Sequence, residues 1–415
     1  MNERILFITE SYYDSPSPNG SCVKKVADTL IGGGADVHVL TLKNERARED
    51  AEIDGVKVYR VNTYLEWRVL FSKRIPHLIG RVLSRATKLL KALLIPRHPL
   101  RAPRVLRLLT KRAEEIAQKE NIQVVIGVYR DFETVMAAVR LKEKFGDRIK
   151  LIIYTLDAIS GGVCSNRLVS ERMHVKKCRE WELKMLSVCD IYCALEAHRG
   201  IYADEIYKPY TEKIRFVDVP NLLKSNFDYG KAPSGDMNFV FTGMLSETNA
   251  DPSFFLGAFA HICASRPEAR FNIYGGVSAG VLRLIEKSGL YNERIFFHGR
   301  VEAEALDEAR RSADILLNFG NEHFCGIPCK IFEYVSTGKP IVSFYKIDGD
   351  ASTPYLKRYK KAILIKNEPT AERACAEKIL TFFDSVKDIT VEREEIYKEY
   401  YSNTPDELAG IIRGA

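Results

Sequence analysis

The sequence has no stretch of about 18 uncharged apolar residues, so no membrane-spanning helix is expected. Paired metal-ligating cysteines are missing as well. The nine cysteines are scattered, and Cys189 with Cys193 and Cys325 with Cys329 lack a second pair at zinc-site spacing. Cys178, Cys193 and Cys263 sit in apolar text, so the cysteines read as buried free thiols of a reducing compartment. Neither a Gly-x-Gly-x-x-Gly fingerprint nor a P-loop occurs, which leaves the commonest dinucleotide and triphosphate readings without support. The start MNERILFITE lacks the pattern of a signal peptide, and a cytoplasmic location is expected. With 46% hydrophobic and 28% charged residues, the composition is that of a globular chain, and 415 residues suffice for two domains.

Acidic residues are absent from Trp67 to Ala113, although the whole chain has a net charge of only +7. Basic residues recur through this segment, and Arg81, Arg85, Lys88 and Lys91 fall at helical spacing while Leu83, Leu90 and Leu94 would share another face. The pattern is that of a basic amphipathic helix making peripheral contact with an anionic membrane surface. An ordinary helix with a solvated basic face is the alternative. No nucleic-acid module accompanies the charge, so nucleic acid is not an expected partner.

Apolar runs alternate with helical patterns along the chain. RILFITE, ADVHVLTL, VKVYRVN, IQVVIGVY, KLIIYTLD, DIYCALE and KIRFVDVP read as strands. Helices are expected from Val23 to Ile31, capped by Ser21, from Glu133 to Phe145, and over 170–188. After the polar stretch KSNFDYGKAPSGD the alternation restarts with NFVFTGML, RFNIYGG, RIFFHGRV, ADILLNF, PIVSFY and KAILIKN. Buried parallel sheets covered by helices follow, one in each half. The expected division is a Rossmann-like domain over 1–223 containing the basic segment 67–113, a linker over 224–236, a second Rossmann-like domain over 237–390, and a helix within 391–415 returning to the first domain. Ligands of such sheets bind at the strands' carboxyl ends, in a cleft that the two sheets would face.

The most specific text is GIPCKIFEYVSTGKPIVSF, Gly326 to Phe344. Pro328 suits the first turn of a helix, and Cys325, Gly326 and Ile327 before it would leave backbone N–H groups for an anion such as a diphosphate. Lys330 adds a point charge for phosphate. Glu333, about one turn on, can accept from two vicinal ribose hydroxyls, and Gly338 and Pro340 stop the helix.

This run resembles the donor-site motif of family 4 glycosyltransferases, Pro-x-Lys-x-x-Glu-Tyr followed by Gly-Lys-Pro, with Pro328, Lys330, Glu333 and Tyr334 and then Gly338, Lys339 and Pro340 in those places. FVFTGMLSETNADPSFFLGAF, IYGG and FFHGRV resemble the family's strand ends, and Asn19 with Gly20 resembles its loop facing the donor diphosphate. The resemblance implies the GT-B architecture. It implies transfer, with retention, of a hexose-like group from a nucleoside-diphosphate sugar to a hydroxyl of a lipid-linked or polysaccharide acceptor in bacterial surface-glycan assembly, with no metal or other cofactor. Donor contacts would come from Asn19, Gly20, Gly243, Gly275, Arg300, Gly326, Ile327, Pro328, Lys330 and Glu333, with Glu333 on the ribose. Lys330 would stabilise the leaving diphosphate. Asp157, at a strand's carboxyl end before Gly161 and Gly162, reads either as a group that orients or deprotonates the acceptor hydroxyl or as an aspartate capping its loop.

Four positions depart from the family pattern. Cys325 stands where members carry a Glu eight residues before Glu333, with Glu322 out of register; Met244 and Asn249 replace a diphosphate-binding Arg and Lys; Leu156 replaces a His before Asp157. These substitutions motivate a second reading, a catalytically silent module binding a nucleotide or a partner. Asp348-Gly349-Asp350 has the form of a metal-binding triplet but follows the wrong strand order, and His298 and His323 read as structural histidines.

Overall fold

The computed structural model describes residues 3–13, 17–42, 50–62, 95–161, 169–222, 237–248, 250–320, 327–368 and 370–414. The chain forms two compact units, one of Met1–Pro220 with Ser402–Ala415 and one of Asn221–Tyr401. The expected linker 224–236 and the helical charge pattern from Arg81 to Lys91 lie outside the described residues.

In the first unit the strands are β1 (Arg4–Ile8), β2 (Asp36–Leu42), β3 (Ala51–Ile53), β4 (Val56–Val61), β5 (Val124–Tyr129), β6 (Lys150–Thr155), β7 (Ile191–Leu195) and β8 (Ile214–Val217). Among the described residues they form an eight-stranded sheet in the order β3-β4-β2-β1-β5-β6-β7-β8. Every pairing is parallel except β3 with β4. Ile5, Leu6, Phe7 and Ile8 are all fully buried, as a central parallel strand covered on both faces requires. The three-residue β3, a short antiparallel edge, carries too little pattern to be read from sequence.

The helix after β1 runs from Pro18 to Gly32, five residues earlier than the apolar pattern indicates. Ser17, not Ser21, is its cap: the Ser17 Oγ accepts from the Gly20 N–H at 3.1 Å, and Pro18 occupies the first turn, where its lack of an N–H costs nothing. The helices Phe132–Phe145 and Glu171–Val188 lie within a residue of the expected bounds.

The second unit holds β9 (Asn238–Leu245), β10 (Arg270–Val277), β11 (Ile295–Gly299), β12 (Ile315–Phe319), β13 (Ile341–Tyr345) and β14 (Ala362–Lys366). Their order is β11-β10-β9-β12-β13-β14, all parallel. The chain therefore runs outward from β9 in one direction and then from β12 in the other, and the reversal opens a crevice at the carboxyl ends of these two strands. A Phe-rich core of Phe239, Phe255, Phe259, Phe271, Phe319 and Phe344 packs beneath. The helix Arg393–Glu399 stays with this unit; the helix Pro405–Arg413 packs on Pro18–Gly32 in the first.

Candidate functional site

In the second unit, the motif residues gather where β9 and β12 part. The two strands pair only through Ile315 with Phe239 and Leu316 with Val240, so the carboxyl half of β9 has no β12 partner. Tyr334 fills the gap: its hydroxyl accepts from the Thr242 N–H at 2.9 Å and lies 3.1 Å from the Thr242 Oγ1. The ring is fully buried. The Tyr of the Glu-Tyr pair thus fastens the helix that carries Lys330 and Glu333 to the sheet at the switch point.

That helix is shorter than expected. It spans Lys330–Val335 with Cys329 as its cap, so Pro328 precedes the helix instead of opening it. The Pro328 carbonyl accepts from the Ile331 N–H at 3.0 Å, a tight turn that delays the helical ladder. Ile327 and Pro328 are half-buried, while Cys325, Gly326, Glu322 and His323 lie outside the described residues.

Lys330 extends beneath the glycine end of β9. Its Nζ lies 3.8 Å from the Phe241 ring centroid, and a Cβ on Gly243 would sit 3.8 Å from the same nitrogen. Desolvation lowers the Lys330 pKa to about 7, opposed by the charge of Glu333. Gly243 and Gly275 are paired neighbours on β9 and β10, both at φ 130°. A Cβ on Gly275 would come within 2.0 Å of the Gly243 carbonyl oxygen, so only glycine permits this close strand crossing. Met244, next along, is 55% exposed, which leaves an apolar side chain where the family carries an arginine.

Glu333 is engaged by protein groups. Its Oε2 accepts from Arg310 Nη2 at 2.7 Å and its Oε1 from Asn221 Nδ2 at 3.1 Å. Arg310 is buried and also donates to Asp307 Oδ1 at 2.8 Å. Neither Arg310 nor Asn221 was picked out from sequence; nothing in the local text marks them, since they stand 23 and 112 positions from Glu333.

Arg300 is exposed just past β11. His298 stacks on Tyr274 with centroids 4.4 Å apart, and its Nε2 is 2.7 Å from Asn272 Oδ1, contacts of a structural residue. Asp348 pairs with Lys366 at 2.8 Å, and Asp350, buried, accepts from the Ser352 N–H at 2.9 Å and from the Ser352 hydroxyl. The triplet is thereby a turn with its carboxylates separately engaged.

The first unit has its own switch point, between β1 and β5. Glu10, just past β1, accepts from the Ser11 and Ser17 hydroxyls and pairs with Arg130 at 3.1 Å, drawing the loop onto the end of β5. The Asn19 Nδ2 donates to the Tyr129 carbonyl at 3.2 Å, and a Cβ on Gly20 would fall 2.6 Å from the Ser11 carbonyl oxygen. Asp157, past β6, keeps solvent exposure. Desolvation raises its pKa and Glu10 adds to the rise, while His198 and Arg130 oppose it. A carboxylate so placed is a stronger base than one in open water.

Residues 236–385 match the family described as glycosyl transferases group 1. No curated protein matches the chain in sequence. Among solved structures, sucrose-phosphate synthase from Thermosynechococcus elongatus is similar over 100% of this chain and 98% of its own, with 12% identity and a TM-score of 0.64. Anabaena HepE, in complex with UDP and glucose, is similar over 100% and 99% with 13% identity and a TM-score of 0.60. S. aureus TarM, in complex with fondaparinux, alpha-GlcNAc-glycerol and UDP, is similar over 100% of both chains with 12% identity and a TM-score of 0.58. At such identities these structures establish the shared fold, and the family match rests on the second unit, where Lys330, Glu333 and Tyr334 stand. Residues 236–385 thus match a group 1 glycosyl transferase domain, and the chain as a whole shares the GT-B fold of these glycosyltransferase structures.

Proposed function

We propose that the enzyme transfers a hexose-like group, with retention and without a catalytic metal, from a nucleoside-diphosphate sugar to a hydroxyl of a lipid-linked or polysaccharide acceptor in bacterial surface-glycan synthesis. The observation that carries this reading is Lys330 beneath the Gly243 end of β9 with Glu333 one turn on along the same helix, a cation and a carboxylate at a switch point. In the reaction the bond from the anomeric carbon to the diphosphate oxygen breaks, a bond to the acceptor oxygen forms, and the acceptor hydroxyl loses its proton. Lys330 meets the charge that develops on the leaving diphosphate. Glu333, oriented by Arg310 and Asn221, accepts from the ribose hydroxyls. Asp157 takes the acceptor proton or orients its hydroxyl, and its raised pKa suits that task. The complexes of HepE with UDP and glucose and of TarM with UDP support a diphosphate donor by analogy of fold. Work at the inner membrane face, through the basic segment 67–113, belongs to the same proposal.

The engaged state of Glu333 and the exposed Met244 favour a second reading, a module that binds a nucleotide without turnover. One experiment separates the outcomes: thermal shifts of the wild type and Glu333→Gln with UDP, GDP, ADP, TDP and CMP, followed by donor-hydrolysis assays with the sugar form of the stabilising nucleotide. The glutamine keeps an acceptor for Asn221 and avoids the void of an alanine beside buried Arg310. One diphosphate should raise the melting point of the wild type, and raise that of the variant less. Turnover supports the transferase; binding without turnover supports the silent module; no shift with any nucleotide removes both.

A further inference from the structure

Away from the donor residues, the first unit brings two histidines and a cysteine to one point. His174 and Cys178 lie on the helix Glu171–Val188 four residues apart, so both side chains share one face. His98 reaches them from the loop ahead of the helix Pro103–Lys119. All three are buried, with exposures of 5%, 6% and 0%. Among the described residues this is the one group of three such side chains whose ligand atoms lie within 4.8 Å of one another.

We propose that His98 Nε2, His174 Nδ1 and Cys178 Sγ form a binding site for one divalent metal ion of the zinc class. Imidazole nitrogen with thiolate sulfur is the donor set that such borderline-soft ions select. With bonds of about 2.0 Å to nitrogen and about 2.3 Å to sulfur, a tetrahedral site has nitrogen–sulfur edges of roughly 3.6 Å. The Cys178 Sγ to His174 Nδ1 distance is 3.6 Å. The His98 Nε2 to His174 Nδ1 distance is 2.6 Å, a hydrogen bond between the rings. Metal entry replaces that hydrogen bond, opens this edge to about 3.3 Å by small ring rotations, and releases the thiol proton. The fourth position is left to solvent or another donor.

The surroundings hold the loop ligand in place. Trp181 Nε1 donates to the His98 carbonyl at 3.2 Å, and Trp181 packs edge-on against Phe132. Three residues on, Glu133 Oε1 accepts from the Arg101 and Ala102 N–H groups at 2.8 and 2.6 Å. His98 is thereby fixed from both sides before a metal arrives, as an outer shell should do. The ion would cross-link the loop 95–102 to the helix Glu171–Val188, a structural role separate from the donor chemistry of the second unit.

The test uses the full chain, stripped with a chelator and titrated with Co(II). About one Co(II) per chain should bind, with visible d–d bands of a tetrahedral site and a near-ultraviolet thiolate-to-cobalt charge-transfer band, and Zn(II) should displace it. Cys178→Ser should lose the charge-transfer band, and His174→Gln should weaken binding by more than the roughly 100-fold that an outer-shell change costs. Circular dichroism of the metal-free variants checks that they fold, and His98→Gln serves where one does not. A wild type without the thiolate band overturns the proposal whatever the variants do. So does a band that persists in folded Cys178→Ser, since one of the other cysteines then supplies the sulfur.

Discussion

Lys330 is held where a cation is disfavoured. Its pKa falls to about 7, so the charge is present below that pH and lost above it. A diphosphate needs that charge, and its affinity for the wild type should decline as pH rises through about 7, while Lys330→Met should be flatter. The variant should bind the diphosphate about 10- to 100-fold more weakly, the worth of one charge-assisted hydrogen bond. Calorimetric titration across pH measures both. The folded pKa lies below the unfolded value of 10.5, so the stability penalty of this lysine is complete below about 7 and is relieved as pH climbs toward 10.5. Lys330→Met should therefore match or exceed the wild type in melting point at pH 7. A variant that loses stability but keeps its affinity would make Lys330 a packing residue. The type and spacing of Lys330 and Glu333 were legible in the text, because one helical turn places them together. Arg310 and Asn221 were not, because contacts over 23 and 112 positions arise only from packing.

At the level of elements, the seam between β9 and the helix Lys330–Val335 depends on one hydroxyl. Tyr334→Phe leaves the buried Thr242 N–H without its acceptor and should cost about 1–3 kcal/mol in denaturant unfolding. Loss of nucleotide binding beyond that cost would show that the seam also positions Lys330 and Glu333. In the first unit, Glu182 on the helix Glu171–Val188 is fully buried and accepts from Tyr207 at 2.7 Å and Tyr202 at 3.1 Å. Desolvation raises its pKa above 4.5, against the pull of hydrogen bonds from Tyr207, Ser160 and Tyr202. The folded pKa exceeds the unfolded one, so this group's contribution is complete below pH 4.5 and is lost as pH rises through the folded value. Glu182→Gln should flatten that decline in a melting-point series against pH. An unchanged profile would mean that the tyrosines hold the ionised carboxylate without cost. Helix bounds were legible where caps and apolar period agree, as at Phe132–Phe145. They were misread at Pro18, where Ser17 and a proline start the helix ahead of its first apolar residue.

For the whole molecule, the return of the chain has a measurable consequence. Leu408, Ala409 and Ile412 are buried in the first unit, and Arg413 donates to the Thr29 carbonyl at 3.0 Å. Ending the chain at Tyr401 should destabilise that unit by about 3–6 kcal/mol, from burial of the Leu and Ile side chains. Calorimetry should show its transition lowered and that of Asn221–Tyr401 little changed. Equal lowering of both would mean that the two units unfold as one.

The alternation of apolar strands with helical periods, and the break near residue 224, sufficed to read two parallel α/β units from sequence alone, because period and burial are local properties of the chain. The Pro-x-Lys-x-x-Glu-Tyr run brought Lys330 and Glu333 onto one helix for the same reason: their spacing is that of one helical turn. Strand order, the gap between β9 and β12, the Tyr334 plug, the partners of Glu333 and the meeting of His98 with His174 and Cys178 were decided only by the tertiary structure. Each joins segments remote in sequence, and which of them meet depends on how whole elements pack.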